Sequence, residues 1–148
     1  MKWVPGLENY YAVTTDGQIF SYRKGTPVEI HPSKIYDKAK TKVVALFIVL
    51  SHPTYPKRSI QRKGYVEVKH TRSSQFHRLI YETFSGSIPK GYVIHHIDFN
   101  VFNNNINNLQ CVTRKQHSKY HKEYEAQWGI GTFKNLPATF VPPIPLIS

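Results

Sequence analysis

Two adjacent histidines, His95 and His96, are followed about twenty residues later by a second pair, His117 and His121. Four of the chain's eight histidines therefore fall within residues 92–121, together with Asn100, Asn103, Asn104, Asn105, Asn107 and Asn108. Neutral imidazole is a common ligand for divalent metals and titrates near neutral pH, so this stretch has the residue types for metal-assisted acid–base chemistry. Successive side chains of a strand point to opposite faces, so His95 and His96 do not readily hold one ion together. One of them can hold a metal while its neighbour stands across a scissile phosphate as a general base. His117 and His121 have the i, i+4 spacing that puts two side chains on one helical face.

The elements that must position these groups can be read around them. Tyr92, Val93 and Ile94 form a short apolar run leading into His95, which reads as a strand. An Asn-rich loop follows, then a second apolar run, Leu109 to Val112. Thr113 and Gln116 have capping-box spacing, which predicts a helix with Thr113 at its N-cap, carrying His117 one turn in and His121 one turn further. The asparagines suit a loop that must satisfy its own backbone through Asx turns. Most read as turn formers, and Asn108, directly before the second strand, is placed to brace the two sides of the loop.

Upstream, Tyr10 to Val13, the turn signal Asp16-Gly17 and Gln18 to Arg23 predict a hairpin. Val43 to Leu50 reads as a strand buried on both faces, Pro53 to Lys63 as a basic loop, and Tyr65 to His70 as a strand. Ser73 or Ser74 can cap a helix reaching about Phe84, with Phe76, Leu79, Ile80 and Phe84 as its apolar stripe. His77 beside that stripe reads as a structural histidine, and Cys111 as a small core residue. Lys34 to Lys42 gives no firm assignment. Residues 122–128 extend the last helix, and residues 129–148, with Pro137, Pro142, Pro143 and Pro145, read as an extended arm.

Composition narrows the partners. The 148 residues carry 20 Lys and Arg against 9 acids, a formal net charge of +11 that favours polyanions, nucleic acid foremost. Between Lys34 and Arg78 stand eleven Lys or Arg and two acids, Asp37 and Glu67. Lys57, Arg58, Arg62, Lys63 and Arg72, with Arg114 and Lys115 at the start of the motif helix, are the candidate DNA contacts. One cysteine forms no internal disulfide, which excludes a disulfide-stapled secreted framework. The first residues have no apolar h-region, and the longest apolar run, Val43 to Leu50, is far short of the ~20 residues needed to span a bilayer. The expectation is a soluble cytoplasmic protein with no membrane partner and no small-molecule organic cofactor.

The segments HHIDFN, NNNINNL and TRKQHSKYH resemble the HNH nuclease family, whose motif is a ββα unit around a single divalent metal. The resemblance implies that His95 and His117 are metal ligands, His96 the general base and Asn108 the bracing asparagine. His121 matches the additional helical ligand of members with three histidines. Where the family usually has Asp-Gly-Asn, this chain has Asp98-Phe99-Asn100. Trp3, Gly6, Glu8, Tyr10 to Val13, Asp16-Gly17 and FHRLIYETF are similar to the upstream segments of phage and intron HNH homing endonucleases. The resemblance covers about residues 1–32 and 64–121.

The fold expected is thus α+β, a β-rich basic segment over 1–72 followed by a ββα-metal core over 73–128 and the proline-rich arm over 129–148. The function expected is metal-dependent cleavage of double-stranded DNA, and the resemblance to phage enzymes implies a phage-encoded chain acting inside a bacterial host. Two or three imidazoles suit Zn²⁺ or Ni²⁺, and Mg²⁺ or Mn²⁺ fits once phosphate oxygens complete the shell. The alternative is a non-catalytic nucleic-acid-binding module with a structural or vestigial metal site, although such zinc sites usually use more cysteine. A zinc protease is disfavoured because HSKYH lacks the glutamate of the H-E-x-x-H helix.

Overall fold

The computed structural model describes residues 1–40 and 42–128. The arm expected over 129–148 lies outside the described residues. In chain order the elements are β1 (Lys2–Trp3), β2 (Tyr11–Val13), β3 (Ile19–Ser21), β4 (Val28–Ile30), β5 (Ser33–Tyr36), β6 (Val43–Ser51), β7 (Lys57–Arg62), β8 (Tyr65–Gln75), α1 (Phe76–Ser85), β9 (Tyr92–His96), β10 (Leu109–Thr113) and α2 (Arg114–Trp128), with a single 3₁₀ turn at Ile106–Asn108. The class is α+β. The strands form an N-terminal sheet in the order β1-β2-β3-β4, a second sheet in the order β5-β6-β8-β7, and the two-stranded β9–β10 ribbon.

The hairpin over residues 10–23 forms as expected, with Tyr11 opposite Ser21 and Val13 opposite Ile19. Its turn closes through Thr14 N–H to the Gln18 carbonyl at 2.9 Å, with Gly17 at a φ of 88°. Tyr11 also reaches the second sheet, where its hydroxyl accepts from Ser51 N–H at 2.9 Å.

Three expectations are corrected. β6 is not buried on both faces: Val44 and Val49 are 43% and 49% exposed while Leu46, Ile48 and Leu50 are buried. A β-branched run has the same composition in a doubly covered strand as in an antiparallel sheet with one open face, and β6 belongs to the second kind. The basic stretch before Gly64 is not wholly a loop, because Lys57–Arg62 is β7, paired with β8 from Lys57 opposite His70 to Arg62 opposite Tyr65. Lys-Arg-Ser-Ile-Gln-Arg has little intrinsic strand preference. The partner strand and a Lys63-Gly64 turn, with Gly64 at a φ of 79°, decide it. Finally, Ser73 and Ser74 do not cap α1. They continue β8, opposite Val49 and Ile48, and α1 starts at Phe76 behind Gln75, which makes no side-chain cap.

α1 buries Phe76, Leu79, Ile80 and Thr83. The apolar stripe follows the 3.6-residue period, and the Thr83 hydroxyl donates back to the Leu79 carbonyl at 2.8 Å, which satisfies it inside the core. Gly86 ends the helix at a φ of 92°. One apolar cluster joins these residues to Val4, Leu7, Val13 and Ile19 of the first hairpin region, Leu50 of β6, and Ile94 and Leu109 of the β9–β10 ribbon. Both strands that carry the histidine–asparagine motif are therefore anchored in the main core. Among the described residues no helix is long and apolar enough to cross a membrane.

Candidate metal centre

β9 and β10 pair antiparallel with His96 opposite Leu109, His95 opposite Gln110 and Tyr92 opposite Thr113. Thr113 then starts α2 through a complete capping box. Gln116 N–H donates to the Thr113 hydroxyl at 3.2 Å, and Thr113 N–H donates to Gln116 Oε1 at 3.0 Å. The helix consequently leaves the ribbon at a fixed angle and returns His117 and His121 alongside His95.

His95 and His96 are both buried, and they face different neighbours. The His95 ring lies 5.3 Å from that of His117 and 5.7 Å from that of His121. His117 and His121 approach at their Nε2 atoms, 3.1 Å apart. One ligand atom from each of His95, His117 and His121 lies within 4.8 Å of the others, little more than twice the ~2.1 Å length of a zinc–imidazole bond. His95 Nδ1 is buried without a hydrogen-bond partner. An orphaned buried nitrogen is costly unless something else satisfies it, and a cation among three imidazoles does so. These residues fit a divalent metal.

His96 turns the other way. Its Nε2 meets Asn104 Oδ1 at 2.9 Å, and its ring lies 5.0 Å from that of His77 on α1. Asn104 Nδ2 donates to the Val101 carbonyl at 3.2 Å, which fixes the amide with its oxygen toward His96. Nε2 of His96 is then the protonated nitrogen and Nδ1 holds the free lone pair.

Asp98 organises the loop between the strands. Its Oδ1 accepts from Asn100 N–H at 2.8 Å and from Asn108 Nδ2 at 2.9 Å, and its Oδ2 accepts from Asn103 Nδ2 at 2.8 Å. Asn108 reciprocates, its Oδ1 accepting from Asp98 N–H at 3.1 Å while Nδ2 also donates to the Asn103 carbonyl at 2.9 Å. Asn108 thus ties the start of the loop to its end. Asn100 and Asn105 make the Asx turns expected of turn formers, onto Phe102 N–H at 3.0 Å and Asn107 N–H at 3.0 Å.

Burial sets the protonation of the cluster. It lowers the His95 pKa to about 4, assisted by the imidazoles of His117, His121 and His96 and opposed by Asp98. His121 also falls to about 4, first through desolvation where its ring packs among the others, then through His117 and Lys42. His117 and His96 are lowered by the same burial, opposed at His96 by the Asn104 hydrogen bond and Asp98. His77 is pushed down to about 3, by burial first and then by His96, Arg78 and His117. All five imidazoles are neutral near pH 7, the form that ligates metal or accepts a proton.

The cationic candidates divide between the β7–β8 hairpin and α2. Lys57 and Arg58 are exposed on β7, whose last residue is Arg62; Lys63 in the turn and Arg72 on β8 are also exposed. Arg114 and Lys115 are exposed in the first turn of α2, the helix that carries His117 and His121. Three features of the site have no counterpart in the sequence reading. In sequence Asn104 reads as one turn former among six asparagines, Phe99 as a departure from Asp-Gly-Asn, and Asp98 as an ordinary loop acid. Only the density of amides hinted at a network, since nothing local marks which amide meets which imidazole.

Residues 74–119 match the HNH endonuclease family. The chain is 41% identical over 56 residues to the SPbeta prophage-derived protein YosQ of Bacillus subtilis (strain 168), which carries the name of an HNH homing endonuclease; the match covers 37% of this chain and 32% of that protein. It is 43% identical over 56 residues to the uncharacterized gene 5.3 protein of Enterobacteria phage T3, covering 38% of this chain and 50% of that one. The chain therefore spans half or less of the length of these curated relatives. Among solved structures, the HNH homing endonuclease I-HmuI superposes with a TM-score of 0.53 at 23% identity, over 82% of this chain and 56% of its own, a likeness of fold. The chain is accordingly similar to the HNH endonuclease family over residues 74–119, and its fold is like that of an HNH homing endonuclease.

Proposed function

We propose that this chain is a metal-dependent HNH endonuclease that hydrolyses phosphodiester bonds in double-stranded DNA. The observation that carries the proposal is that the two neighbouring imidazoles face different partners. His95 joins His117 and His121 around one point, with Nδ1 of His95 orphaned, while His96 faces away toward Asn104. His95, His117 and His121 would hold a divalent cation, which when bound would supply positive charge to stabilise the charge developing on the phosphate.

The chain's own residues do the rest. His96, neutral near pH 7 because burial lowers its pKa, takes a proton from the attacking water at Nδ1. Asn104 holds the tautomer that leaves Nδ1 unprotonated. Asn108 keeps the loop between β9 and β10 closed around Asp98, which fixes the spacing of His96 from the ligand side. Lys57, Arg58, Arg62, Lys63 and Arg72 on the β7–β8 ribbon, with Arg114 and Lys115, neutralise flanking phosphates. In this reading residues 1–72 serve as the DNA-contacting segment and 73–128 as the nuclease core. The family resemblance implies 5′-phosphate and 3′-hydroxyl ends.

The test is cleavage of duplex plasmid by the purified chain with Mg²⁺, Mn²⁺, Zn²⁺ or Ni²⁺, each against a chelator control. Cleavage that requires a divalent ion is the expected result. DNA binding without cleavage under every metal contradicts the proposal and leaves a binding module.

A further inference from the structure

Phe99 has a φ of 61°, in the left-handed region that a side chain bearing Cβ seldom occupies. The turn that requires it is tight, with Phe99 N–H donating to the His96 carbonyl at 2.9 Å. Glycine or asparagine is the ordinary occupant of such a position, and a bulky residue persists there only when its surroundings over-determine it. Here the surroundings are specific. The Phe99 ring stacks on Tyr124 at 4.0 Å with planes 6° apart. Its edges meet His95 at 4.8 Å and 79° and His121 at 4.9 Å and 77°. Tyr124, buried to 5% exposure, lies three residues beyond His121 on α2.

We propose that Phe99 and Tyr124 form an aromatic clamp that ties the turn after β9 to α2 and thereby sets the spacing of His95 and His121 as metal ligands. The inference rests on the metal-site reading above. The capping box holds α2 only at its first turn, whereas His121 is two turns in. Its position relative to β9 therefore depends on contacts further along the helix, and the Phe99–Tyr124 stack is such a contact. The two edge-on contacts also restrict rotation of both imidazoles. Phe99 offers no ligand atom, so it is a positioning residue. Its side chain explains why a non-glycine residue holds the left-handed position: the ring contributes what glycine could not.

The experiment is Zn²⁺ titration by calorimetry, with Co²⁺ visible absorption as a report of ligand geometry, on the full chain and three variants. Phe99→Asn keeps the left-handed backbone at low cost and removes the ring. Tyr124→Leu removes the stacking partner while keeping apolar bulk, and Tyr124→Phe keeps the stack. Circular dichroism of the metal-free proteins establishes that each variant is folded. Phe99→Asn and Tyr124→Leu should each weaken Zn²⁺ binding roughly 10–100-fold, the usual effect of residues that orient ligands, and alter the Co²⁺ spectrum. The double variant should be no worse than Phe99→Asn alone, because that variant already removes the stack that Tyr124→Leu breaks, together with the two edge-on contacts. Tyr124→Phe should retain wild-type affinity. Wild-type affinity and spectrum in both Phe99→Asn and Tyr124→Leu overturn the clamp alone, as does a Tyr124→Phe variant as impaired as Tyr124→Leu. A wild-type chain that binds no metal overturns the metal reading and the clamp with it.

Discussion

Gly17, in the turn of the N-terminal hairpin, sits so close to Asn104 that a Cβ there would lie 2.7 Å from the Asn104 carbonyl oxygen and 2.8 Å from its carbon. The hairpin turn also accepts Ile106 N–H at the Thr15 carbonyl, 2.9 Å away. The N-terminal sheet thus buttresses the loop whose amide holds His96. Gly17→Ala adds a methyl against backbone that must shift, at a φ of 88° that alanine tolerates poorly. The expected cost is about 1–3 kcal/mol in urea denaturation. Cleavage should fall roughly 10–100-fold through misplacement of His96. Metal affinity should be unchanged, since the Asn104 side chain bonds to His96 and to the Val101 carbonyl rather than to a candidate ligand, and calorimetry checks that.

Asn108→Ala removes three hydrogen bonds at once and leaves Asp98 Oδ1, Asp98 N–H and the Asn103 carbonyl short of a partner. Unsatisfied groups in partly buried surroundings make a loss of about 2–4 kcal/mol the expected result in thermal denaturation. Asn108→Asp should be worse near pH 7, because it sets a second carboxylate against Asp98. A variant as stable as the wild type would mean that the loop is held by its Asx turns alone.

Acid should unfold the metal-free chain early. His77, His95 and His121 have folded pKa values of about 3, 4 and 4, against 6.5 when unfolded. Between these limits the unfolded chain binds more protons than the folded one, so stability is full above pH 6.5 and is lost as pH falls toward 4. A bound cation holds His95 and His121 neutral, so saturating Zn²⁺ should move the acid transition to lower pH. Melting temperature against pH, with and without Zn²⁺, is the measurement; coincident curves would argue against ligation by these imidazoles.

Binding to duplex DNA should weaken steeply with salt, since each phosphate neutralised contributes roughly −0.9 to the slope of log K against log salt concentration. Charge reversals at Lys57, Arg58, Arg62 and Lys63 should flatten that slope. Lys57 and Arg58 stand on a strand paired with β8, a fixed backbone geometry that a loop would not give, so their effects should differ from site to site. An unchanged slope would make the ribbon a solvated edge.

The parts of the site governed by local rules are legible in the sequence. The Thr113–Gln116 capping box, the Asp16-Gly17 hairpin and the α1 stripe each depend on residues within a few positions of one another. What local rules could not reach was decided by partners distant in sequence. Ser73 and Ser74 are good helix caps, yet pairing with β6 draws them into β8. Lys57–Arg62 becomes a strand because β8 is beside it. The contacts of Asn104 with both His96 and the Gly17 turn join three segments whose adjacency only the tertiary fold creates.

The central claim is that adjacent histidines have separate tasks, and calorimetric metal titration beside single-turnover cleavage for His95→Ala and His96→Ala tests it most directly. His95→Ala should lose metal binding and cleavage together. His96→Ala should keep metal and DNA affinity while losing roughly 10²–10⁴-fold in rate, the worth of a positioned base. The wild-type rate should rise with pH through an imidazole pKa displaced below 6.5, and the His96→Ala profile should lack that limb. Metal binding abolished by His96→Ala but intact in His95→Ala would reverse the assignment, and cleavage unaffected by either substitution would contradict the nuclease reading itself.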